Sequence, residues 1–475
     1  MVVINKNIVY TLSIMETIKQ SPNSETVAIV GTGISGLMEA LFLHQAGFVV
    51  SVYGKGPDPR TNQKAEHFSS THNGELGRFI SRFEGEHYLG DSAMYPDMAG
   101  AFERHVLGGG WLGKNELDDF DKTWIKKRLQ ACEDKKSMDD TERFYVQANG
   151  EAMSSWQKII LDFPELFYNA DLLNTGILRL YDNENLFRWA AERHGKEAVL
   201  ERALTPVEVA TDYPYFAEAC TLGYVTGAVE APGFSFNVHK FCQNLINYLA
   251  KEGIIFYWER EILRIQFTKD HLVQGLVTAN GLIIADNYCL NPGAYANEEL
   301  LVGTEAEGKI AGVAGRWLFL PSPKNFKRPV KIHGDVRVVN GRRYPVVDVN
   351  LTHFADASGK EWLAVGGGYA YLGKPPFDLD NAALRAIDEE NERTVKMYLG
   401  PIYQEAEKDG LIKKSSATCV RSFTYNDMPV MANMPTTSGG ILRINAGTNT
   451  GTTTIAPFMA GETVRALLGR VLKHN

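Results

Sequence analysis

The spacing of apolar and polar residues near the start of this chain predicts a strand, a helix and a second strand in succession. Residues 27–30 are all apolar, which is typical of a strand buried on both faces. Residues 38–46 have helical character, and residues 48–53 again favour a strand. This order predicts a parallel βαβ unit.

The turn between the first strand and the helix has the pattern G-x-G-x-x-G over residues 31–36. Gly31 permits a tight turn, Gly33 lets the backbone approach a pyrophosphate, and Gly36 lets helix and strand pack closely. Ile34 and Ser35 open the helix, whose free N–H groups and dipole favour a bound anion. We therefore predict dinucleotide binding; the alternative is a tight turn without a ligand.

One part of the dinucleotide pattern is missing. The second strand of this motif ordinarily ends in Asp or Glu, about 20 residues after the glycines, to hold the adenosine ribose hydroxyls. Here Gly54 stands where the acid belongs, Asp58 is the nearest carboxylate, and Lys55 could favour a phosphate. The turn alone therefore does not decide which dinucleotide binds.

Farther along the chain, the pattern predicts that a second domain interrupts the first. Residues 118–147 are highly charged and helix-prone, which is typical of a surface excursion. From residue 233 a helix over residues 238–251 leads to further short strands. Apolar alternation over residues 316–353 then favours an antiparallel sheet, before a long amphipathic helix over residues 382–399.

Composition excludes several classes of protein. The net charge of −8 argues against a nucleic-acid partner, and the basic runs at residues 126–128 and 324–331 are interpreted as solvated faces or loops. The five cysteines include no C-x-x-C pair, which indicates a reducing compartment and excludes a thiolate zinc cluster. No apolar run reaches the about 18 residues of a membrane span, so we expect a cytoplasmic protein.

A second glycine-rich loop lies between a predicted strand over residues 441–446 and a predicted helix over residues 455–468. Its residues are Gly447, Thr448, Asn449, Thr450, Gly451, Thr452 and Thr453. Such a helix start can direct several N–H groups at a developing anion, for example the N1–C2=O edge of a reduced flavin. A polar helix cap with no partner is the alternative.

Four blocks, residues 31–36, 69–74, 291–294 and 421–454, together resemble the FAD-dependent D-amino-acid oxidase superfamily, which includes D-amino-acid dehydrogenases and glycine and sarcosine oxidases. The resemblance implies FAD bound across a Rossmann-type domain, with the antiparallel sheet covering its isoalloxazine ring. It also implies cofactor contacts from Ser70, Thr71, His72, Asn73, Gly74 and Gly293.

The predicted fold is therefore α/β with an α+β substrate domain. It consists of a Rossmann-type FAD-binding domain and an inserted substrate domain built on an antiparallel sheet. The assigned segments are an N-terminal extension (residues 1–24), three FAD-binding parts (residues 25–117, 232–310 and 415–475) and two substrate-domain parts (residues 118–231 and 311–414).

Arg421 matches the family arginine that clamps the substrate carboxylate, a role that suits a planar guanidinium with a permanent charge. A salt bridge to a nearby acid is the alternative, and Ser422 replaces the proline that usually follows this arginine. Cys419 falls where a cysteine of sarcosine-oxidase-like members attaches covalently to the flavin; the alternative is a small buried side chain. His72 and Arg78 resemble basic residues kept beside the flavin, although a structural loop histidine is equally consistent.

The same oxidases use a lysine over the flavin to speed the reaction with oxygen. Residues 362–366, the best match to that position, contain no lysine, which favours a dehydrogenase that passes electrons to another carrier. Tyr369 and Tyr371 are candidates to line the substrate cavity, with core packing as the alternative.

The predicted reaction is oxidation of the Cα–N bond of an amino acid or secondary amine by hydride transfer to flavin N5, giving an imine that water hydrolyses. The catalytic candidates are Arg421, His72, Tyr369 and Tyr371. The expected partners are the small-molecule substrate and an electron acceptor, either O2 or another carrier. Two alternatives stay open: an FAD-dependent 2-hydroxy-acid dehydrogenase, which additionally needs a base, and a flavoprotein subunit without its own substrate.

Overall fold

The computed structural model describes residues 25–62, 78–85, 113–114, 116–333, 337–339, 342–344, 349–356, 358–414 and 418–474. Its strands are β1 (Thr26–Val30), β2 (Val49–Tyr53), β3 (Arg78–Ser81), β4 (Ile177–Tyr181), β5 (Arg202–Leu204), β6 (Gly227–Ala231), β7 (Gly233–Phe236), β8 (Ile255–Tyr257), β9 (Arg264–Phe267), β10 (Val273–Thr278), β11 (Gly281–Ile283), β12 (Asn287–Leu290), β13 (Ile310–Pro321), β14 (Val330–His333), β15 (Arg337–Val339), β16 (Arg342–Tyr344), β17 (Val349–Ala355), β18 (Glu361–Gly373), β19 (Lys413–Lys414), β20 (Cys419–Thr424), β21 (Val430–Pro435) and β22 (Ile441–Ala446).

The helices of the described chain are α1 (Ile34–Gln45), α2 (Asp119–Glu133), α3 (Lys135–Asp162), α4 (Glu184–Lys196), α5 (Pro206–Asp212), α6 (Ala217–Thr221), α7 (Val238–Lys251), α8 (Glu298–Leu301), α9 (Ala382–Tyr398), α10 (Gly400–Lys408) and α11 (Thr452–His474). Short 3-10 turns occur at Pro164–Phe167, Pro214–Phe216 and Asn449–Gly451. None of these helices combines the length and the apolar character that crossing a bilayer requires.

The first large sheet has six strands in the order β21-β22-β12-β1-β2-β8, and all neighbours run parallel except β21 and β22. Along β1, Val27 and Ile29 pack against the helices α1, α7 and α11. Ala28 and Val30 instead face the small sheet formed by β9, β10 and β11. Both faces of β1 are covered, and this explains its uniformly apolar sequence.

The second large sheet has nine strands in the order β19-β13-β18-β17-β14-β4-β6-β5, with β20 also paired to β13. All pairs are antiparallel except β4 with β14. The helices α5, α6, α9 and α10 cover one face with a continuous apolar core. The predicted α/β fold is confirmed, and β20 joins the nine-stranded sheet although it belongs to the segment assigned to FAD binding.

The charged region that begins at residue 118 forms α2 and α3, but it is more than a surface excursion. Tyr145 and Trp156 of α3 are fully buried, and α3 packs along α11. The interpretation of residues 126–128 as solvated is wrong at Arg128, which is 5% exposed and forms an ion pair with Asp427 at 2.6 Å. Lys126 and Lys127 are exposed, whereas the next residue on the helix points inward.

Candidate active site

A cavity opens where the chain leaves the carboxyl ends of β1, β12 and β22, and it extends to the nine-stranded sheet, on the face opposite the apolar core under α5, α6, α9 and α10. It contains about 1280 Å³ of space, open solvent at its mouth included. Its position is the usual ligand site of an open α/β sheet.

The glycine turn after β1 has the conformation that its sequence requires. Gly31 has φ +110°, and a Cβ atom there would lie 2.5 Å from the carbonyl oxygen of Asn291. A Cβ atom on Gly36 would collide with the carbonyl oxygen of Gly31. These two glycines are therefore needed for the close packing of β1, β12 and α1.

Gly33 has a different role from its neighbours in the turn. It lines the cavity together with Ile34 and Ser35, and a Cβ atom on Gly33 would meet nothing within 4 Å. The position is empty on the protein side, so the glycine leaves room for a ligand to approach the backbone. The first turn of α1 contains no acidic residue, and its N–H groups are suited to an anion.

The second glycine-rich loop follows β22 and forms the adjacent part of the wall. Thr448, Asn449, Thr450, Thr452 and Thr453 all line the cavity. The helix that follows begins at Thr452, three residues earlier than the sequence predicts, and has no acidic residue in its first turn. This end of α11 therefore presents hydroxyl groups and a positive helix dipole to the cavity.

Gly447 and Gly451 serve the packing of this loop rather than the cavity surface. Gly447 has φ +70°, and a Cβ atom there would collide with the side chain of Thr424. A Cβ atom on Gly451 would lie 2.9 Å from the Cα atom of Gly85. Both glycines allow backbone segments to approach closely, so they hold the loop in place.

Side chains from α2 and α3 brace the same loop from behind. Asn449 Nδ2 and Tyr145 Oη both donate hydrogen bonds to the carbonyl oxygen of Asp427, at 3.0 and 3.1 Å. Asp427 in turn forms the buried ion pair with Arg128. Trp156 Nε1 donates to two carbonyl oxygens in the first turn of α11, at 3.1 and 3.0 Å. The position of the loop thus depends on residues about 300 positions earlier in the chain.

Four asparagines that line the cavity have buried amide oxygens without a hydrogen-bond partner among the described residues. They are Asn291, Asn350, Asn445 and Asn449. Buried acceptors are ordinarily satisfied, so these oxygens indicate a ligand with hydrogen-bond donors. FAD carries ring N–H and ribose hydroxyl donors besides its anionic pyrophosphate. These unpaired acceptors and the empty position beside Gly33 therefore fit FAD.

Arg421 reaches the cavity from β20, where it pairs with Val313 of β13. Its Nε donates to the carbonyl oxygen of Val313 at 3.3 Å, and its Nη2 donates to that of Gly368 at 2.5 Å. Among the described residues it forms no ion pair with a carboxylate, and the salt-bridge alternative finds no partner there. Gly315 makes room for the guanidinium, since a Cβ atom there would lie 2.7 Å from Nη2.

The two tyrosine candidates lie in different places. Tyr369 lines the cavity, and the Arg421 guanidinium lies 5.0 Å from the centre of its ring. Tyr371 is fully buried, packs against Trp124 and donates a hydrogen bond to Asp121 Oδ1 at 2.9 Å. The structure therefore brings Tyr369 to Arg421 and places Tyr371 in the core between α2 and the sheet.

Of the remaining candidates, Cys419 and Gly293 line the cavity. Cys419 lies opposite Gly315 on β13, on the same face of the sheet as Arg421. The candidates Ser70, Thr71, His72, Asn73 and Gly74 lie outside the described residues.

The position of the missing ribose acid is filled by packing. A Cβ atom on Gly54 would lie 2.7 Å from the side chain of Thr32 and 3.3 Å from the ring of Trp258. Lys55 forms an ion pair with Glu261 at 2.8 Å, and Asp58 forms one with Arg60 at 2.6 Å. Lys55 and Asp58, the charged residues that follow Gly54, are therefore both paired with protein side chains.

Sequence reasoning missed several side chains on the wall formed by the nine-stranded sheet. Trp317, Lys331 and Asn350 line the cavity from β13, β14 and β17, and Glu84 joins them after β3. The interpretation of residues 324–331 as solvated is wrong at Lys331, because Val330 and Ile332 face the helix-covered core and turn Lys331 to the cavity. The alternation of the buried Val330 and Ile332 with the charged Lys331 was the feature of the sequence that could have predicted the position of Lys331 on the cavity wall.

A sequence model of the family described as FAD dependent oxidoreductase (DAO) matches residues 26–466. The chain belongs to this family, which confirms the resemblance to the D-amino-acid oxidase superfamily. The protein is an FAD-dependent oxidoreductase.

Solved structures of known enzymes share this fold at low sequence identity. The chain is similar to glycine oxidase from Bacillus cereus (15% identity, TM-score 0.60, covering 94% of this chain and 96% of that one). It is also similar to L-proline dehydrogenase from P. horikoshii (14% identity, TM-score 0.59, covering 94% of this chain and 93% of that one). A third similar structure is iminodiacetate oxidase from Chelativorans sp. (13% identity, TM-score 0.57, covering 93% of this chain and 95% of that one). No curated protein sequence matches the chain.

Proposed function

We propose that this protein oxidises the Cα–N bond of an amino acid or secondary amine that carries a carboxylate. The observation that supports this most is Arg421, a cavity-lining guanidinium whose described hydrogen bonds go to backbone carbonyls alone. A guanidinium without a carboxylate partner in a cavity is suited to bind one from the ligand, with two parallel hydrogen bonds. The structural neighbours glycine oxidase and iminodiacetate oxidase act on such molecules by name.

The residues that would hold FAD are those of the two glycine loops. Gly33, Ile34 and Ser35 would receive the pyrophosphate at the start of α1. The start of α11, from Thr448 to Thr453, would face the flavin ring edge on which negative charge develops. When bound, FAD supplies the two-electron acceptor for the hydride that leaves the substrate Cα.

The contribution of the protein's own side chains is positioning. Arg421 fixes the carboxylate, and the hydrogen bond to Gly368 fixes Arg421, so the substrate Cα is held in one orientation. Tyr369 covers one side of the guanidinium, which lies 5.0 Å from the centre of its ring. The amine must be neutral, because its lone pair forms the C=N bond as the hydride departs. Water then hydrolyses the imine to a carbonyl compound and the released amine.

The 2-hydroxy-acid alternative needs a proton acceptor beside the substrate. Glu84 is the carboxylate on the described part of the cavity wall. Burial alone would raise its pKa, but Lys331, Arg179 and the hydrogen bond from Ser81 lower the pKa below its ordinary value of 4.5. A carboxylate with a lowered pKa is a weak base, which favours amine oxidation.

The test is anaerobic flavin reduction by a panel of amino acids, N-alkyl amino acids and 2-hydroxy acids, with a dye as the final acceptor. Reduction by carboxylated amines and none by the matching hydroxy acids is expected. Reduction by hydroxy acids alone would replace the proposal with the alternative, and a flavin that stays oxidised with every acid would favour a subunit without its own substrate. Oxygen consumption in the same assay separates O2 from another carrier as acceptor.

We also propose that the six-stranded sheet and its loops form the FAD-binding domain and that the nine-stranded sheet forms the substrate domain. The two loops suited to FAD follow strands of the first sheet, whereas Arg421 and Tyr369 lie on strands of the second. Flavin attachment through Cys419 belongs to the same proposal. Acid precipitation tests it, since covalently attached flavin stays in the pellet and free flavin colours the supernatant.

A further inference from the structure

A buried acid on α1 contacts two of the cavity-lining asparagines from behind the wall. Glu39 is 1% exposed, and its Oε2 accepts a hydrogen bond from Asn291 Nδ2 at 2.5 Å. Its Oε1 accepts one from Asn445 Nδ2. Thr463 Oγ1, on α11, donates to the same Oε1 at 2.8 Å. One carboxyl group thus links α1 to the end of β12, to β22 and to α11.

These hydrogen bonds fix the direction in which each asparagine amide is turned. A carboxylate has acceptors only, so the Nδ2 groups of Asn291 and Asn445 must face Glu39. The Oδ1 atom of each amide is buried and has no hydrogen-bond partner among the described residues. Both asparagines line the cavity, so their oxygens are the amide atoms left to accept from a ligand.

The orientation of the two amides does not depend on the charge of Glu39. Burial raises the pKa of this carboxyl above its ordinary value of 4.5, although the hydrogen bonds it accepts act to lower the pKa. A proton on Oε1 would be donated to Thr463 Oγ1, whose own hydrogen can go to the carbonyl oxygen of Met459 at 3.0 Å. Both carboxyl oxygens would still accept from the asparagines.

The strand order of the six-stranded sheet indicates which half of FAD these oxygens can bind. The sheet places β12 and β22 on one side of β1 and β2 on the other. In the dinucleotide pattern the adenosine ribose lies at the end of β2, and the pyrophosphate lies at the start of the helix after β1. The flavin half, which carries the polyol hydroxyls and the ring N–H, is therefore expected beside β12 and β22.

We propose that Glu39 is a positioning residue for the flavin half of FAD. It acts through Asn291 and Asn445, whose Oδ1 atoms accept hydrogen bonds from the polyol hydroxyls or the ring N–H of that half. Glu39 itself does not touch the cofactor. The inference rests on the proposed FAD-binding domain and is independent of the substrate.

The test compares the binding of FAD with that of ADP, which has the adenosine and the pyrophosphate but neither polyol nor flavin. Flavin-free full-length protein is titrated with each ligand, and Kd is measured by calorimetry. Every protein, including the parent, carries Cys419→Ser, so that flavin binding is reversible.

The decisive variant is Glu39→Gln, which replaces one oxygen acceptor by a nitrogen that cannot accept. Whichever way the glutamine is turned, this nitrogen faces the Nδ2 group of Asn291 or of Asn445. That asparagine must then reverse and present a donor to the cavity in place of its oxygen. We expect the Kd of FAD to rise by about tenfold and the Kd of ADP to stay within about twofold.

The matched control is Thr463→Val, which removes a fully buried donor of the same network. Both asparagines still donate to Glu39 in this variant, so the free energy of unfolding should fall while the Kd of FAD stays unchanged. The inference is overturned if Glu39→Gln keeps the parent's affinity for FAD, or if it loses affinity for FAD and ADP equally. An FAD-selective loss of the same size in Thr463→Val would also overturn it.

A second variant keeps the test decisive if Glu39→Gln does not fold. Asn291→Ala removes one of the two acceptors at a half-buried position and should show the same FAD-selective loss; unchanged FAD affinity would overturn the inference. A parent protein that binds no FAD would overturn the proposed cofactor site together with the inference. A flavin that no amine reduces would end the proposed reaction and leave the inference standing.

Discussion

The two walls of the cavity are built in different ways. The turn wall, residues 33–36, 448–450, 452 and 453, consists of backbone turns that follow strands of the six-stranded sheet. The strand wall, Trp317, Lys331, Asn350 and Arg421, consists of side chains from four strands of the nine-stranded sheet. Backbone groups suit a cofactor whose pyrophosphate is always the same. Side chains that come from several strands can be replaced one at a time, so a wall of this kind is suited to the selection of a substrate.

The largest effect is expected where the turn wall depends on a distant side chain. Arg128→Met leaves the carboxylate of Asp427 buried without its cation, and breaking such a pair costs about 3–5 kcal/mol. Urea denaturation should show this loss in the free energy of unfolding. The control is Arg143→Met, whose side chain is 73% exposed and should change stability by less than about 0.5 kcal/mol. Equal free energies of unfolding for Arg128→Met and Arg143→Met would mean that the ion pair of Arg128 with Asp427 does not stabilise the turn wall.

The glycine turn allows its packing role to be separated from its ligand role. Gly36→Ala brings a Cβ atom into the carbonyl oxygen of Gly31, so we expect a stability loss of about 1–3 kcal/mol. FAD affinity should fall by about hundredfold, measured by quenching of flavin fluorescence.

Gly33→Ala is the matched variant for this turn. Its Cβ atom meets empty space, and Gly33 has φ −77°, which alanine adopts freely. The unfolding free energy should therefore stay unchanged while FAD affinity falls. Unchanged FAD affinity in Gly33→Ala would contradict a cofactor role for the turn wall.

A smaller effect confined to the strand wall is expected from Gly315→Ala. The added Cβ atom lies 2.7 Å from Arg421 Nη2, so the guanidinium must shift. Affinity for a carboxylate ligand should fall by about tenfold with flavin content unchanged, because small misplacement of a charged clamp weakens it. Gly195→Ala, on an open face of α4, should leave both quantities unaltered. If Gly315→Ala also lowered the flavin content, a substitution on the strand wall would disturb the turn wall, and the two walls would not be independent.

The smallest effect is a pH dependence of the strand wall. The pKa of Glu84 is lowered in the folded protein, so its contribution to stability is present above about pH 4.5 and is lost as the pH falls through the folded pKa. Wild type should exceed Glu84→Gln in unfolding free energy at neutral pH. This difference should shrink progressively below pH 4.5, measured by urea denaturation at each pH. A difference that stays constant with pH would show that Glu84 is not ionised in the fold.

The difference between the turn wall and the strand wall also explains which residues of the cavity could be predicted from the sequence. The turn wall is contiguous in sequence, so the glycines at residues 31–36 and the Gly/Thr loop were found from local patterns alone. Arg421 was found through its resemblance to a family motif. Lys331 and Glu84 are 247 positions apart and meet only through strand pairing, which a single sequence does not reveal. Arg128 likewise looked like part of a solvated charge run, because its partner Asp427 lies 299 positions away.

The most direct test of the proposed reaction is anaerobic reduction of the flavin in wild type and in Arg421→Met. Each protein is given an amine substrate and the same amine without its carboxylate. We expect KM for the carboxylated amine to rise by about hundredfold in the variant, since a bidentate charged contact contributes about 3 kcal/mol. The decarboxylated amine should be oxidised with the same low efficiency by both proteins. Equal KM values for the carboxylated amine in wild type and variant would contradict the role of Arg421 as the carboxylate clamp.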